Sequence, residues 1–339
     1  MGGVLITGGA GYIGSCFAWS CHDAGVPFAV VDDLSTGDRR ALPPGAAFVQ
    51  AKVSDTGAVS ACIREHGLDS VAHFAGSISI EESVRDPEKY QRNNVLESRA
   101  LLDTIEALGI GKVVFSSTAA IYGDPGGDPI SETTLPAPTS PYGQTKVAVE
   151  KMLQAREAAG ALRFITLRYF NVAGADPGLR TGARSGGAGN LIKTCCEVAL
   201  GRKPRLVVHG DDYLTADGSC VRDYIHVADL AQAHLAAAAH LAAGGGSAVL
   251  NCGYGRGFSV REVIRAFEVV TGKPMPVDVG PRRAGDVAQV ISNARLIRQT
   301  LDWTPRHQDL NEMVKSALDW EATLGQAPAG MTTETKEPG

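Results

Sequence analysis

The sequence predicts an α/β fold: a doubly wound parallel sheet joined by a smaller, interleaved α/β domain. Two observations predict it. Short apolar runs without strict alternation recur through the first half of the chain, and amphipathic helical stretches separate them. Such runs are typical of strands covered on both faces, and an alternating strand–helix order favours a parallel sheet with right-handed crossovers.

The elements follow in chain order. The predicted strands of the first half are residues 4–6, 28–31, 47–49, 70–74, 112–116 and 163–167. The predicted helices between them include residues 55–66, 94–108 and 145–158. Residues 173–190 are rich in Gly, Ser, Asp and Pro, which predicts a long loop of the kind that is usually functional. Beyond it, residues 227–243 and 259–271 are predicted helices, with a strand at 249–252.

The composition is that of an ordinary globular chain of about two domains. Of its 339 residues, 44% are hydrophobic and 20% charged, and the net charge is −5. That charge offers no basic field to nucleic acid or to an anionic membrane surface. No apolar run approaches the ~20 residues of a membrane span, and the seven cysteines form no CxxC pair. We therefore expect a cytoplasmic protein with reduced thiols, no metal centre, no nucleic-acid partner and no membrane partner.

The segment TGGAGYIG at residues 7–14 follows the first predicted strand and precedes an apolar helical run. In this context Gly8 permits a tight turn, Gly11 lets the backbone approach a phosphate and Gly14 allows close helix–strand packing. The helix start offers free N–H groups to a pyrophosphate. Asp32, eighteen residues past Gly14, is placed to accept ribose hydroxyls and to repel a 2′-phosphate. The segment therefore predicts a Rossmann-type domain that binds NAD rather than NADP.

Tyr142 and Lys146 are four residues apart, on one face of a helix that Pro141 is placed to start. A lysine ammonium near a phenol lowers the pKa of the phenol, which makes Tyr142 a candidate general base for a sugar hydroxyl. Thr118 follows the predicted strand at 112–116, at the sheet edge where open α/β folds bind ligands. The three residues predict a catalytic set. On spacing alone, a surface pair on a helix is the alternative for the tyrosine and lysine.

Together these motifs resemble the extended short-chain dehydrogenase/reductase family and, within it, the nucleotide-sugar 4-epimerases. The resemblance runs from about residue 4 to residue 320 and rests on TGGAGYIG (7–14), HFAG (73–76), NNV (93–95), SSTAAIYGD (116–124), SPYGQTK (140–146), LRYFNVAGAD (167–176), VRDYIHVADLA (221–231) and PRRAGD (281–286). It implies an isomerase of galactose metabolism that interconverts UDP-glucose and UDP-galactose by transient C4 oxidation with bound NAD. It also implies a homodimer, in which the helices at 94–108 and 145–158 are candidates to pair.

The resemblance further implies roles for individual residues. For the cofactor they are Gly8, Gly11, Tyr12, Ile13, Gly14, Asp32, Val53 through its backbone, Phe74, Ala75, Gly76, Asn93, Lys146, Tyr169 and Phe170. For the UDP-sugar they are Thr118, Tyr142, Asn171, Asn190, Leu191, Arg222, Arg283 and Asp286. The guanidinium fork of arginine suits a diphosphate. On spacing alone, an ion pair between Arg222 and Asp223 is an equal alternative.

These roles divide the chain into three parts. Residues 1–171 are expected to form the NAD-binding Rossmann domain, to which later segments from about 220–255 return. Residues 172–324 are expected to be mainly a UDP-sugar substrate domain, and residues 325–339 a disordered tail.

Three positions depart from the family pattern. Lys52 replaces an Asp that contacts adenine, and Ile78 replaces a lysine found in some relatives. Val290 stands at a gate where a bulky Tyr excludes N-acetylated sugars and small residues admit them, so the preferred sugar stays open. A UDP-N-acetylhexosamine 4-epimerase, a UDP-glucuronate decarboxylase and a non-enzymatic NAD-binding sensor remain alternatives. A 4,6-dehydratase is disfavoured, because Ala119 and Ala120 carry no proton for its acid–base step.

Overall fold

The computed structural model describes residues 2–184, 190–283 and 285–324. The first half consists of β1 (Gly3–Thr7), α1 (Tyr12–Asp23), β2 (Phe28–Asp32), β3 (Ala47–Gln50), α2 (Thr56–His66), β4 (Leu68–His73), α3 (Ile80–Arg85), α4 (Pro87–Tyr90), α5 (Glu97–Ala107), β5 (Lys112–Thr118), α6 (Pro141–Ala158) and β6 (Arg163–Tyr169). The second half consists of β7 (Asn171–Ala173), α7 (Leu191–Ala199), β8 (Leu206–His209), β9 (Val221–His226), α8 (Val227–Ala242), β10 (Ala248–Cys252), β11 (Gly257–Ser259), α9 (Val260–Thr271), β12 (Val277–Gly280), β13 (Gln289–Val290), α10 (Arg295–Thr300) and α11 (Leu310–Leu324).

Seven strands of the described ranges form one parallel sheet in the order β10-β6-β5-β4-β1-β2-β3. The predicted doubly wound parallel sheet is therefore confirmed. Successive strands run outward from β1 in one direction and from β4 in the other. In such sheets the crevice above the carboxyl ends of the two central strands is the usual ligand site. The last strand comes from the second half, since β10 pairs with β6.

The sheet is covered on both faces, which explains why its strands are continuous apolar runs. Val4 and Ile6 of β1 pack with α1 and α8, whereas Leu5 between them packs with α2, α5 and α6. Successive side chains of a strand point to opposite faces, so a strand buried on both sides needs apolar residues at every position.

The described residues of the second half also form two smaller sheets. In one, β9 pairs with β7, β11 and β13; in the other, β8 pairs with β12. β7 begins two residues after β6 ends, so the first of these sheets starts at the carboxyl edge of the central sheet. The second half is thus interleaved with the first, as predicted.

Two predictions at the segment level need comment. The helix predicted from residue 94 starts earlier, as a π-helix at Gln91–Leu96, and continues as α5 from Glu97. The loop predicted at 173–190 overlaps the end of β7 and contains a bridge between Ala175 and Gly182. Its residues 185–189, and the tail predicted at 325–339, lie outside the described residues.

Candidate active site

The glycine-rich turn joins β1 to α1 at the carboxyl edge of the sheet, and two of its glycines are required for space. Gly8 has a φ of 68°, and a Cβ on it would lie 2.5 Å from the backbone nitrogen of Ala75. A Cβ on Gly14 would lie 2.3 Å from the carbonyl oxygen of Gly8. The turn therefore lies flush against α1 and against the loop after β4.

The N-terminus of α1 presents free backbone donors at this turn. Gly11 is the N-cap, and the first intrahelical bond runs from the Ser15 N–H to the Gly11 carbonyl oxygen at 2.9 Å. The N–H groups of residues 12–14 precede that bond and lie at the positive end of the helix dipole. The Tyr12 hydroxyl donates to the Gly174 carbonyl oxygen at 2.6 Å. The turn can therefore bind an anion through its backbone while Tyr12 ties it to the long loop.

Asp32 ends β2 beside the turn and is only 7% exposed. Its Oδ2 accepts from the Ala10 N–H at 2.9 Å, and its Oδ1 accepts from the Leu34 N–H at 2.8 Å. Burial raises the pKa of Asp32, and the two backbone hydrogen bonds oppose that rise. Because a carboxylate offers about four acceptor sites, roughly two remain for ribose hydroxyls. The hydrogen bond also supports Leu34 at a φ of 60°, where leucine is strained.

The loop after β4 lies against the glycine turn and carries the predicted Phe74, Ala75 and Gly76. The Phe74 N–H donates to the Thr7 carbonyl oxygen at 3.0 Å, and the Phe74 ring packs 4.7 Å from the His234 ring. The side chain of Phe74 is therefore part of the packing of the sheet.

Asn94, rather than Asn93, fixes this loop. The buried Asn94 accepts from the Ser77 N–H at 2.7 Å and donates to the Ser77 carbonyl oxygen at 2.9 Å and to the Thr145 hydroxyl at 3.1 Å. Asn93 makes one longer contact, from Nδ2 to the Ser77 hydroxyl at 3.2 Å. Asn94 belongs to the π-helix, an element that is rare and frequently found at functional sites. The motif NNV predicted that this segment lies near the cofactor, but it could not show which of its two asparagines binds the loop.

At the expected adenine end, Val53 is buried and Lys52 is exposed. The Lys52 ammonium pairs with the Glu97 carboxylate of α5 at 3.1 Å. The lysine that replaces the family's Asp at position 52 is thus paired with a carboxylate of α5.

The catalytic candidates meet between β5 and α6. Thr118 ends β5, while Tyr142 and Lys146 lie in the first turns of α6, 6% and 4% exposed. The Lys146 ammonium lies 6.0 Å from the centre of the Tyr142 ring and donates to the Ser116 carbonyl oxygen at 3.0 Å. The alternative of a surface pair on a helix is therefore wrong, because both side chains are buried at the carboxyl edge of the sheet.

Burial determines the protonation of this pair. It raises the pKa of Tyr142 to about 12, against a hydrogen bond with Thr118 that lowers it. Among the protein's own groups, desolvation of the phenolate is the larger effect. The expectation that Lys146 and a bound oxidised nicotinamide together lower the Tyr142 pKa stays a prediction. Burial also lowers the pKa of Lys146 to about 8, and the charge of Glu150 opposes that fall.

His234 of α8 reaches the same strand and was not predicted. Its Nδ1 lies 2.8 Å from the Leu230 carbonyl oxygen, so Nδ1 carries the proton and Nε2 accepts from the Ser116 hydroxyl at 2.8 Å. Burial lowers the His234 pKa to about 4, which keeps the ring neutral. The Ser116 carbonyl oxygen thus accepts from Lys146, while the Ser116 hydroxyl donates to His234. No local motif signals a histidine that reaches the site from an alanine-rich helix.

Phe170 follows β6 and packs with Ile121, Tyr122 and Ile130 in a small apolar cluster. Val290 of β13 packs against the same cluster. The size of the side chain at position 290 therefore affects the space beside Phe170.

The predicted UDP-binding residues lie on and around the sheet formed by β7, β9, β11 and β13. Arg222 of β9 is the register partner of Val290, and Asn171 of β7 is exposed opposite Tyr224 of β9. An Nη2 of Arg222 lies 3.7 Å from an Oδ1 of Asp286. Two residues predicted to bind UDP are thus brought together from distant parts of the sequence.

The alternative partner of Arg222, Asp223, is buried and engaged elsewhere. It accepts from the Ser292 hydroxyl at 2.5 Å and from the Tyr254 N–H at 3.1 Å. The proposed ion pair between Arg222 and Asp223 is therefore wrong, and Arg222 faces Asp286 instead.

The remaining candidates are more exposed. Arg283 is exposed, and its carbonyl oxygen accepts from the Asp286 N–H at 3.2 Å. Asn190 is exposed and caps α7 by accepting from the Lys193 N–H at 3.3 Å, and Leu191 next to it is half-buried. Asn190 and Leu191 thus lie at the start of α7, and Arg283 lies beside Asp286.

The model of the NAD dependent epimerase/dehydratase family matches residues 4–253. The chain belongs to this family. It is 50% identical over 324 residues to a UDP-glucose 4-epimerase of Azospirillum brasilense, which covers 96% of this chain and 93% of that protein. It is 42% identical over 334 residues to a UDP-glucose 4-epimerase of Halalkalibacterium halodurans, which covers 98% of this chain and 99% of that protein. The predicted family is thereby confirmed.

Solved structures agree with this membership. The UDP-glucose-4-epimerase of Stenotrophomonas maltophila, with bound NAD and formylated UDP-arabinopyranose, has a TM-score of 0.94 at 39% identity, over 97% of this chain and 100% of that chain. The UDP-Glc/GlcNAc 4-epimerase of Campylobacter jejuni has a TM-score of 0.84 at 42% identity, over 95% of this chain and 100% of that chain. The family is NAD-dependent, as predicted from the glycine turn and Asp32.

The residues of this chain fit a dinucleotide. Gly8 and Gly14 let the turn pack directly on the loop after β4 and on the start of α1, where a Cβ would meet backbone atoms. This packing holds the free N–H groups of residues 12–14 at the carboxyl edge of the sheet, where they are suitable donors for a pyrophosphate. Asp32 has acceptor sites left for ribose hydroxyls beside its two backbone bonds. Of the residues that the structure describes, no helix is both long enough and apolar enough to span a bilayer.

Proposed function

We propose that this protein catalyses the interconversion of UDP-glucose and UDP-galactose through transient oxidation at C4. The observation that carries the proposal is the convergence of Thr118, Tyr142 and Lys146 at the carboxyl edge of the sheet, beside the dinucleotide turn. The similarity of nearly the whole chain to UDP-glucose 4-epimerases supports it.

The proposal assigns a task to each part of the chain. Residues 1–171, with segments from about 220–255, hold NAD, and residues 172–324 mainly hold the UDP-sugar. The pairing of β10 with β6 and the packing of α8 on β1 support this division, because both segments return to the first sheet.

NAD is held by the turn at residues 8–14, by Asp32 and Val53, and by the loop at 74–76, with Asn93, Tyr169 and Phe170 beside it. When bound, oxidised NAD supplies a two-electron acceptor for the sugar carbon and a positive charge that lowers the pKa of a nearby phenol. Tyr12 and Asn94 keep the two walls of this groove in place through their bonds to Gly174 and Ser77.

The proton is handled by Tyr142. Its phenolate Oη takes the proton of the sugar 4-hydroxyl as C4 is oxidised, and returns it to the 4-oxygen as hydrogen is restored to C4 on the opposite face. The Thr118 hydroxyl hydrogen-bonds the same oxygens, and the Lys146 ammonium stabilises the phenolate form. Burial of Tyr142 and Lys146 excludes water from the proton transfer and strengthens the charge interactions of the two side chains, while Thr118 is half-buried.

The substrate is gripped at the UDP end. Arg222 and Arg283 bind the diphosphate, Asp286 accepts from a ribose hydroxyl, and Asn171, Asn190 and Leu191 complete the site. Binding energy concentrated on UDP leaves the hexose free to present either face, which a 4-epimerase requires.

A second candidate substrate is a UDP-N-acetylhexosamine, since the Campylobacter jejuni relative is a UDP-Glc/GlcNAc 4-epimerase. The observation that favours it is the modest size of Val290 beside the Phe170 cluster. The same Val290 allows UDP-glucose, so both sugars belong in the assay.

We further propose that the protein is a cytoplasmic homodimer. α5 and α6 lie side by side on one face of the sheet, joined by an ion pair of Arg156 with Glu106 at 3.2 Å. Their outer surfaces are the expected contact across a twofold axis. Light scattering at twice the 35.4 kDa chain mass is the expected result, and a monomer would refute this assignment.

The test is turnover of UDP-galactose to UDP-glucose by purified, NAD-loaded protein, followed by nuclear magnetic resonance of the sugar without any external oxidant. Tyr142→Phe is expected to lower kcat by about 10²-fold or more, because it removes only the hydroxyl that transfers the proton. Tyr90→Phe is the matched control. The Tyr90 ring lies 6.4 Å from the Tyr142 ring, and its hydroxyl donates to Glu82.

Two outcomes would count against the function. No turnover of either UDP-sugar by the wild-type protein would refute catalysis, and retained NAD binding would then favour the sensor alternative. Equal loss of activity in Tyr90→Phe and Tyr142→Phe would show that removing either hydroxyl disturbs the site in general, and would refute a specific proton transfer by the Tyr142 hydroxyl.

A further inference from the structure

A buried ion pair lies directly behind the proposed site and has no part in the proton transfer. Arg168 of β6 holds Glu150 of α6 through two bonds, Nε to Oε1 at 3.1 Å and Nη2 to Oε2 at 2.6 Å. The Arg168 side chain is 5% exposed and that of Glu150 is 4% exposed. Removing two charges from water is costly, and apolar residues of the same volume are often at least as stabilising. The pair therefore needs an explanation other than stability.

Each end of the pair reaches a segment that carries a catalytic candidate. Ser117, the residue before Thr118, donates from its hydroxyl to Glu150 Oε1 at 2.5 Å. Arg168 Nη1 donates to the Tyr122 hydroxyl at 2.9 Å, and Tyr122 follows the short turn that Thr118 caps. Both segments that flank Thr118 are thus bonded to the pair.

The network continues beyond Tyr122. The Tyr122 hydroxyl donates to Asn251 Oδ1 at 2.7 Å, and Asn251 Nδ2 donates to the Ile130 carbonyl oxygen at 2.8 Å. It therefore joins β5, α6, β6 and β10 through buried hydrogen bonds. A slide or rotation of α6 against β5 would leave at least one of these groups without a partner, which is costly in a buried site.

The charge of Glu150 also acts on Lys146, one helical turn earlier. The titratable groups near Lys146 are Tyr142 and Glu150 on its own helix and His73 on β4. His234 of α8 shares Ser116 with Lys146, while Arg168 binds Glu150 and Tyr169 acts on Tyr142. Burial lowers the pKa of His73 to about 3 and raises that of Tyr169, so both are neutral near pH 7. Glu150 supplies the negative charge that raises the Lys146 pKa against burial.

We propose that Glu150 and Arg168 are positioning residues: the pair holds α6 in register with β5 and keeps Lys146 positively charged beside Tyr142. This inference rests on the proposed function, which gives Lys146 and Tyr142 their catalytic roles.

The first test removes the charge and keeps the shape. In Glu150→Gln, the pH at which Lys146 loses its proton is expected to fall by about one unit or more, since an opposite charge nearby shifts a pKa by that amount. The alkaline limb of kcat moves to lower pH with it, while the KM for the UDP-sugar changes by less than about twofold. Glu157→Gln, on an exposed position of the same helix, is the matched control and leaves the limb unmoved.

A second measurement does not depend on activity. Protein labelled with ¹³C at the lysine ε-carbon reports the titration of each lysine, and Lys146→Met identifies the signal of Lys146. The expected result is a lower titration midpoint in Glu150→Gln and an unchanged one in Glu157→Gln. An unchanged Lys146 midpoint in folded Glu150→Gln overturns the proposal.

A third variant separates register from charge. Arg168→Lys keeps the positive charge and loses the planar fork. It is expected to lower kcat several-fold at every pH and to leave the alkaline limb in place. Wild-type kcat in Arg168→Lys would overturn the part of the proposal that concerns register.

Glu150→Gln leaves Arg168 buried without its anion, so its folding needs a safeguard. If this variant does not fold, Glu150→Gln combined with Arg168→Gln removes both charges. A smaller fall in the Lys146 midpoint is then expected, because the repulsion from Arg168 is lost together with the attraction to Glu150. A double variant that also fails to fold would reduce the pair to a stability element and overturn the proposal. Absence of turnover by the wild-type protein would refute the proposed function but not the effect of Glu150 on Lys146, because the ¹³C titration tests that effect independently of activity.

Discussion

Gly14→Ala adds one methyl group at the point where α1 meets the glycine turn. The new Cβ would lie 2.3 Å from the Gly8 carbonyl oxygen and 2.8 Å from the Gly9 Cα. Both neighbours are backbone atoms, so no side chain can rotate away. The helix end and the turn must separate by about 1 Å before the contact becomes an ordinary van der Waals one.

The separation has a cost in stability and a larger one in binding. Overpacking of this kind destabilises by about 1–3 kcal/mol, and the backbone contact places Gly14→Ala at the upper end. The N–H donors of residues 12–14 move with the helix, and each bond to a charged group contributes about 1.5–3 kcal/mol. Loss of two such bonds weakens NAD binding by at least about 3 kcal/mol, which is on the order of 100-fold in Kd.

Thermal unfolding and fluorescence titration with NADH measure the two effects. Gly57→Ala is the matched control. Gly57 is exposed in the first turn of α2, and its nearest atom to an added Cβ is a carboxylate oxygen of Asp55 at 3.5 Å. The control is expected to keep its affinity and to gain a few tenths of a kcal/mol, about the value of Gly to Ala at a compatible site. Unchanged NADH affinity in Gly14→Ala would refute this explanation of the turn.

Three further predictions follow from the structure. Arg222→Gln raises the KM for UDP-galactose about tenfold or more, because a charge-assisted bond contributes about 1.5–3 kcal/mol. Steady-state kinetics measures this change, with Arg265→Gln at an exposed position as the control. Equal KM values in the two variants would contradict the role of Arg222 in binding phosphate. Val290→Tyr lowers kcat/KM for UDP-N-acetylglucosamine at least about tenfold and retains activity on UDP-glucose, because the larger ring fills space beside Phe170. An equal loss of kcat/KM for both sugars would contradict this prediction. Burial lowers the pKa of three histidines, to about 3 for His73 and about 4 for His226 and His234. Since these folded-state values lie below the unfolded ~6.5, stability is complete above about pH 6.5 and falls by roughly 1.4 kcal/mol per pH unit per histidine toward pH 4. Urea unfolding at pH 7 and pH 5 measures the loss, and a His73→Gln protein with an unchanged loss would contradict the assignment.

The strands of the first half could be predicted because burial on both faces leaves a continuous apolar run in the sequence. β8 and β12 could not. Leu206 and Val208 of β8 are buried, but Val207 between them is exposed, and the described sheet has only these two short strands. A run of four residues of that kind carries no periodicity strong enough to separate it from a loop.

In the site, local chemistry could be predicted and long-range partners could not. Gly14, Tyr142 and Lys146 act through their immediate neighbours in sequence, so a short motif contains them. The Glu150–Arg168 pair and the hydrogen bonds of Asn94 depend on which helix packs on which strand. The protonation of Tyr142 also depends on its burial, which raises its pKa and which the spacing of the motif does not reveal.

The return of β10 to the central sheet determines where this chain can be divided. A fragment that stopped at Asn171 would leave β6 as a bare sheet edge, open to pairing with other chains. It would also uncover the apolar face of Val4 and Ile6 that α8 protects. An engineer who wants the dinucleotide half alone must carry the chain through Cys252. In topological terms the segment between β6 and α8 is an insertion between two parts that belong to the central sheet, so a replacement for it must keep both of its ends at their present positions.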